Sequence, residues 1–231
     1  MNPLDFSVLW RGDYPALIAR GMVTLLELTA ASWVLAMALG TLLAFIRMSR
    51  SRIARAFVAT YVEYHQNVPM LVQIFLWYFG IPTLLPQDWQ MWVNRNGGEF
   101  IFAFIAIGLA MAAYVSEALR GGIRAVPATQ LEAARALGLN FLQSFRLVVL
   151  PQAARIALPA LVSHTVLLLK NTSLAMAIGV VELTYATREI ESQSFRTIEV
   201  YLFSTVVYLA LTLLIMWGGS RAEARLRLPT R

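Results

Sequence analysis

Residues 132–151, Glu132-Ala133-Ala134-Arg135-Ala136-Leu137-Gly138-Leu139-Asn140-Phe141-Leu142-Gln143-Ser144-Phe145-Arg146-Leu147-Val148-Val149-Leu150-Pro151, form a polar, arginine-bearing island between two very apolar segments. Glu, Ala, Arg and Leu favour helix and Gly does not, so the first part predicts a short helix stopped at Gly138. An island of this polarity must face water. Around it the chain is 58% hydrophobic and 14% charged over 231 residues, which supplies repeated spans of about 20 apolar residues each. The class is therefore an all-α integral membrane protein.

Working outward, the basic residues fix a topology. After the apolar run Met22–Ile46, Arg47, Arg50, Arg52 and Arg55 follow within nine residues and mark that connector as cytoplasmic. The island adds Arg120, Arg124, Arg135, Arg146 and Arg155, and the tail adds Arg221, Arg225, Arg227 and Arg231. Thirteen arginines thus lie on one side against five on the other, Arg11, Arg20, Arg95, Arg188 and Arg196. This bias predicts five transmembrane helices, N-out and C-in, over about 22–46, 57–82, 100–119, 157–180 and 201–217, in a single domain 1–231 whose loop 120–156 is cytoplasmic. It also accounts for the net charge of +6 without nucleic acid, for which no basic run with interleaved aromatics exists. There is no cysteine and there are only two histidines, so neither disulfides nor a metal centre is expected.

Glu132-Ala133-Ala134, three residues, Gly138, nine residues, an aliphatic at Val148, one residue and Leu150-Pro151 is a spacing that resembles the EAA loop of the permease subunits of bacterial ABC importers, which usually have Ile at the Val148 place. In span two, Glu63-Tyr64-His65-Gln66-Asn67-Val68-Pro69-Met70-Leu71-Val72-Gln73 resembles the permeases for polar amino acids, with His65-Gln66 where Phe-Arg is usual. That segment and Leu84-Leu85-Pro86 look most like the glutamate/aspartate branch. The resemblance implies the type I ABC importer permease fold and an inner-membrane location. It implies ATPase coupling through Glu132, Ala133, Ala134 and Gly138, and as partners a cytoplasmic ABC ATPase dimer that binds ATP-Mg, a second permease subunit and a periplasmic amino-acid-binding protein. No cofactor is expected on this chain. It has no Gly-Lys pair, which a phosphate-cradling loop requires, so it is read as a transport subunit without its own ATPase site. The competing class is a stand-alone channel or secondary transporter for a small polar solute. Such a protein needs no docking loop, and five spans do not divide into equal inverted halves.

Within the spans, polar groups collect at two places. Pro69 removes a backbone donor and predicts a kink or break, either purely structural or lining a wet cavity. Lys170, the one lysine, heads Lys170-Asn171-Thr172-Ser173 inside span four; it is either a residue of the substrate path or half of a structural ion pair with a glutamate such as Glu63. A zwitterion cannot cross hydrocarbon unaided, so Asn67, Gln73, Lys170, Asn171, Thr172 and Ser173 are the expected substrate-path residues. Pro159 is expected in the first turn of span four. Residues 83–99 read as an outer loop with Trp anchors, and 181–199 as a helix across the outer mouth. Small residues of span three (Gly108, Ala110, Ala112, Ala113) suggest close helix approach and motivate a second permease subunit across a two-fold axis. Residues 1–20 are amphipathic; an uncleaved first helix is favoured over a leader because the strong positive cluster follows the apolar run.

Overall fold

A computed structural model describes residues 4–226; Arg227 and Arg231 of the basic tail lie outside them. Among the described residues the chain is helical without strands: α1 (Tyr14–Arg47), α2 (Arg52–Asn67), α3 (Met70–Phe75), α4 (Gln87–Arg95), α5 (Gly98–Arg124), α6 (Ala128–Ala136), α7 (Phe141–Ser144), α8 (Leu150–Thr172), α9 (Leu183–Ser194) and α10 (Thr197–Leu226). Four stretches are long and apolar enough to cross a membrane, and α2 with the segment Met70–Leu84 makes a fifth if that pair, bent by 108°, is one span.

Helix α5 is the centre. Of its most apolar stretch 61% is buried, against 28% or less in the other three spans. Its small residues and its neighbours' glycines set the helix spacing, because a Cβ on Gly40 would stand 2.7 Å from Val115 and one on Gly108 2.6 Å from Leu35. On the other flank a Cβ on Gly122 would stand 2.6 Å from the Ala153 carbonyl oxygen, so α8 lies directly on the α5 backbone. Ala110, Ala112 and Ala113 are fully buried inside this chain. They are thus used within the bundle, and the inference from them to a contact between subunits does not hold.

Two expectations about element ends need correction. Helix α8 begins at Leu150, with Pro151 in its first turn, so Pro159 sits in the helix interior and deprives the Arg155 carbonyl of its usual donor. The polar island hid this, since Arg155 reads as part of the loop although the helix is already under way. Residues 87–95 form helix α4, with Trp89 and Trp92 exposed on it. Before α1, Asp5 accepts a bond from the Ser7 amide at 3.0 Å, and Val8 and Leu9 are buried with Ile190 and Val200.

The arginine-bearing ends of α1 and α5 meet. Arg47 closes α1 beside Glu117 of α5, at 3.3 Å, and Glu117 also pairs with Arg120. At the opposite end the Asp5 amide donates to Glu199 Oε1 at 3.1 Å, joining the start of the chain to the start of α10.

Candidate functional site

Three constructions stand out from the apolar bundle. The first is the break at Pro69. Without an N–H at Pro69, the carbonyl of His65 has no helical donor, and the chain turns away there into α3. One side chain repairs the gap: Gln73 Nε2 donates to the Val68 carbonyl at 2.7 Å and to the His65 carbonyl at 3.1 Å. With the amide nitrogen so engaged, Gln73 Oε1 faces His65 Nδ1 at 2.6 Å, and that nitrogen must carry the proton. Gln73 is 1% exposed and His65 6%, so the lock is dry. Gln73, an expected substrate-path residue, thus has its amide engaged at the break. Asn67 donates to the Glu63 carbonyl and carboxylate at 2.7 and 3.0 Å and closes the last turn of α2.

The second is a groove of about 460 Å³ between the end of α8, the start of α9 and α10, lined by Lys170, Ser173, Thr184, Ser204, Tyr208 and Thr212 among others. Lys170 is exposed. Among the described ion pairs none joins it to Glu63, so the structural-pair alternative is not realised. Asn171 contacts Met111 Sδ at 3.8 Å, and Thr172 is buried, donating to the Leu169 carbonyl at 2.6 Å. Of the expected path residues, the structure therefore brings Lys170 and Ser173 together on the groove and leaves Asn67, Gln73, Asn171 and Thr172 off its lining.

Glu182 forms the footing of this groove. Fully buried, it caps α9 by accepting from the Thr184 and Tyr185 amides, both at 2.8 Å, and accepts from the Tyr208 hydroxyl at 3.0 Å. Thr184 and Tyr208 are themselves 2.8 Å apart. Its backbone packs on Gly21, where a Cβ would come within 3.1 Å. Of the expected helix over 181–199 the structure has Leu183–Ser194; Phe195, at φ +56°, ends it, Thr197–Glu199 open α10, and Glu182 is the buried cap at its start. The groove wall on α10 escaped sequence reasoning, although Ser204, Tyr208 and Thr212 recur every fourth residue along an otherwise apolar span.

The third is the island. Helix α6 ends in two nested bonds, Gly138 N–H to the Arg135 carbonyl at 2.9 Å and Leu139 N–H to the Ala134 carbonyl at 3.1 Å. Gly138 has φ +82°, the left-handed conformation this cap requires and that glycine adopts without a Cβ penalty. Two residues on, Asn140 and Gln143 bond reciprocally, each side chain to the other's amide at 2.9 Å, and start α7. Leu137, Phe141 and Leu142 are 82%, 68% and 71% exposed on this elbow. Glu132 and Ala133 are exposed with them, and Ala134 is buried.

The family model described as "Binding-protein-dependent transport system inner membrane component" matches residues 36–228. The glutamate/aspartate import permease protein of Escherichia coli (strain K12) is 32% identical over 220 residues, covering 94% of this chain and 89% of that protein. The nopaline transport system permease protein of Agrobacterium fabrum is 35% identical over 205 residues, covering 88% and 84%. The L-cystine transport system permease protein of Bacillus subtilis (strain 168) is 33% identical over 224 residues, covering 96% and 92%. Among solved structures, an amino acid ABC transporter crystallised with histidines superposes with a TM-score of 0.84 at 29% identity, over 96% of this chain and 99% of that one. An inward-facing methionine ABC transporter shares the fold, with a TM-score of 0.67 at 19% identity over 92% and 97%.

Proposed function

This chain belongs to the family of binding-protein-dependent transport system inner membrane components, and from that premise we propose that it is the permease subunit of an ATP-driven importer that carries glutamate or aspartate. It is a multi-pass subunit of the inner membrane, and its family is that of transport subunits, not ATPases. The arginine-rich end faces the cytoplasm in this reading, following the bias of basic residues.

The observation that carries the substrate is the groove on α8 and α10. Its one charged lining residue is Lys170, and the rest of its polar wall is hydroxyl. The nearest carboxylate, Glu182, is already engaged by two backbone amides and Tyr208. A site with one cation and no available carboxylate favours a ligand that brings carboxylates, since a cationic side chain would enter without a partner. The E. coli relative named for glutamate/aspartate points the same way.

Coupling is assigned to Glu132, Ala133, Ala134 and Gly138. The elbow offers three exposed apolar side chains on a rigid turn, and a partner surface that covers them removes apolar area from water. The partner is the ABC ATPase, which binds ATP-Mg; the binding protein and a second permease subunit complete the assembly implied by the family.

Uptake of radiolabelled amino acids into proteoliposomes holding the complete importer and its binding protein tests the substrate. Glutamate or aspartate should enter on ATP addition and resist competition by arginine. Preferred uptake of arginine or cystine would defeat the acidic-substrate reading while leaving the permease assignment intact.

A further inference from the structure

Beside the close contact of α5 with α8 at Gly122, α1, α5 and α8 leave a narrow crevice of about 90 Å³, lined by Thr41, Ala44 and Phe45 of α1, Leu119 and Ile123 of α5, and the first turns of α8. The lining is apolar apart from Thr41, so water gains no set of hydrogen-bond partners there. Phe45, Leu150 and Ala154 at its walls are exposed, so the crevice opens outward from the bundle. Phe45 in its wall also stands beside Phe145, ring centroids 6.3 Å apart.

A basic cluster stands at its edge. Arg47 follows Ala44 by one turn on α1, and Arg120 and Arg124 follow Leu119 and Ile123 directly on α5. All three arginines act on one carboxylate, that of Glu117, which leaves the cluster with excess positive charge. Arg47 Nη1 is buried and makes no hydrogen bond, although Glu117 lies within ion-pair distance.

We propose that this crevice holds a short stretch of an acyl chain of an anionic phospholipid whose phosphate rests on Arg47 and Arg124. An apolar slot beside three arginines that share one carboxylate matches a lipid in both its parts, and basic pockets between helices take anionic headgroups. The slot is too narrow for a helix of a partner protein, which needs an interaxial distance of about 8–10 Å.

Native mass spectrometry of the detergent-solubilised importer, loaded with phosphatidylglycerol or phosphatidylcholine of identical chains, tests this. The parent should retain phosphatidylglycerol at least roughly fivefold better than phosphatidylcholine, the preference expected for one arginine near an anionic headgroup. Arg47→Gln and Arg124→Gln should each lower phosphatidylglycerol retention by roughly fivefold and lower that of phosphatidylcholine, whose phosphate is offset by its own choline cation, by less. Ala154→Trp, at an exposed position in the slot, should lower retention of both lipids. Should Arg47→Gln fail to assemble, Arg124→Gln and Ala154→Trp carry the test. Equal retention of the two lipids by the parent would overturn the proposal, as would parental phosphatidylglycerol retention in Arg124→Gln. So would retention of both lipids by Ala154→Trp, or displacement of the lipid by inorganic phosphate alone.

Discussion

Replacing Gln73 by Leu separates a lock from a path. The substitution keeps side-chain volume close to constant and deletes three bonds, to the Val68 carbonyl at 2.7 Å, the His65 carbonyl at 3.1 Å and His65 Nδ1 at 2.6 Å. Hydrogen bonds inside membrane proteins average about 0.6 kcal/mol by double-mutant cycles, so three give a floor of about 2 kcal/mol. Leaving a buried polar group unsatisfied costs about 1–3 kcal/mol, so three set a ceiling several kcal/mol higher. The carbonyls freed at a proline break retain some access to neighbouring donors, which places the expected loss at about 2–4 kcal/mol. His65→Phe removes only the third bond and should cost about 1 kcal/mol. The assay is equilibrium unfolding in mixed micelles followed by helical circular dichroism, with uptake measured on the same preparations. If Gln73→Leu unfolds like the parent and yet loses uptake, Gln73 belongs to the substrate path and the lock does not exist.

Lys170→Met should assemble with yield and melting temperature close to the parent's, because Lys170 is exposed and no described ion pair includes it, and should lose most uptake of acidic amino acids in proteoliposomes. Normal uptake would remove it from the mechanism. Glu182→Ala strips the acceptor from two amides and Tyr208 and should destabilise the detergent-solubilised protein by about 3 kcal/mol, while Glu182→Gln recovers part of it; equal melting of the two would show that the cap is not what holds α9. Gly138→Ala forces a side chain into φ +82°, at a cost of about 1–2 kcal/mol, and should weaken ATPase co-purification while the spans insert normally. Unchanged co-purification would move the coupling contact away from the elbow. Gly108→Val meets Leu35 well inside contact distance and should abolish folded yield, measured by size-exclusion chromatography.

The sequence alone made the spans and the helix ended by Gly138 readable, since long apolar runs and a glycine after an Ala-rich turn carry direct physical meaning. What it could not reveal is which way the apolar helices face. A helix apolar all round, such as α1 or α10, gives no amphipathic stripe from which to infer its buried side. Pro69 announced a break, but not that Gln73, four residues on, would repair it; a glutamine in a span has the same composition whether it serves a ligand or a carbonyl. Nothing in the spacing of 181–199 distinguishes Glu182 from the other carboxylates of that segment, and only the packing of its backbone on Gly21 shows it to be interior. The stripe of hydroxyls on α10 was legible at helical spacing, and was masked by the stronger signal of the lone lysine.

The two turns flanking Leu139 are closed by their own atoms, Ala134 to Leu139 and Asn140 to Gln143, so the elbow behaves as a stiff crank. A load applied to Leu137 or Phe141 does little work bending it. The next departure from α geometry along the chain is the joint at Phe145–Val149, where the helix is widened into a π turn just before α8. Beyond that joint α8 is a long arm, even with one hydrogen bond missing at Pro159. At about 1.5 Å per residue Lys170 sits roughly 30 Å from its base, and a tilt of roughly 5° at the joint carries its Cα through about 2.6 Å. A displacement of that size is near the length of a hydrogen bond, and the packing of α8 on Gly122 near its base and on Gly219 at its middle sets how far such a tilt can go.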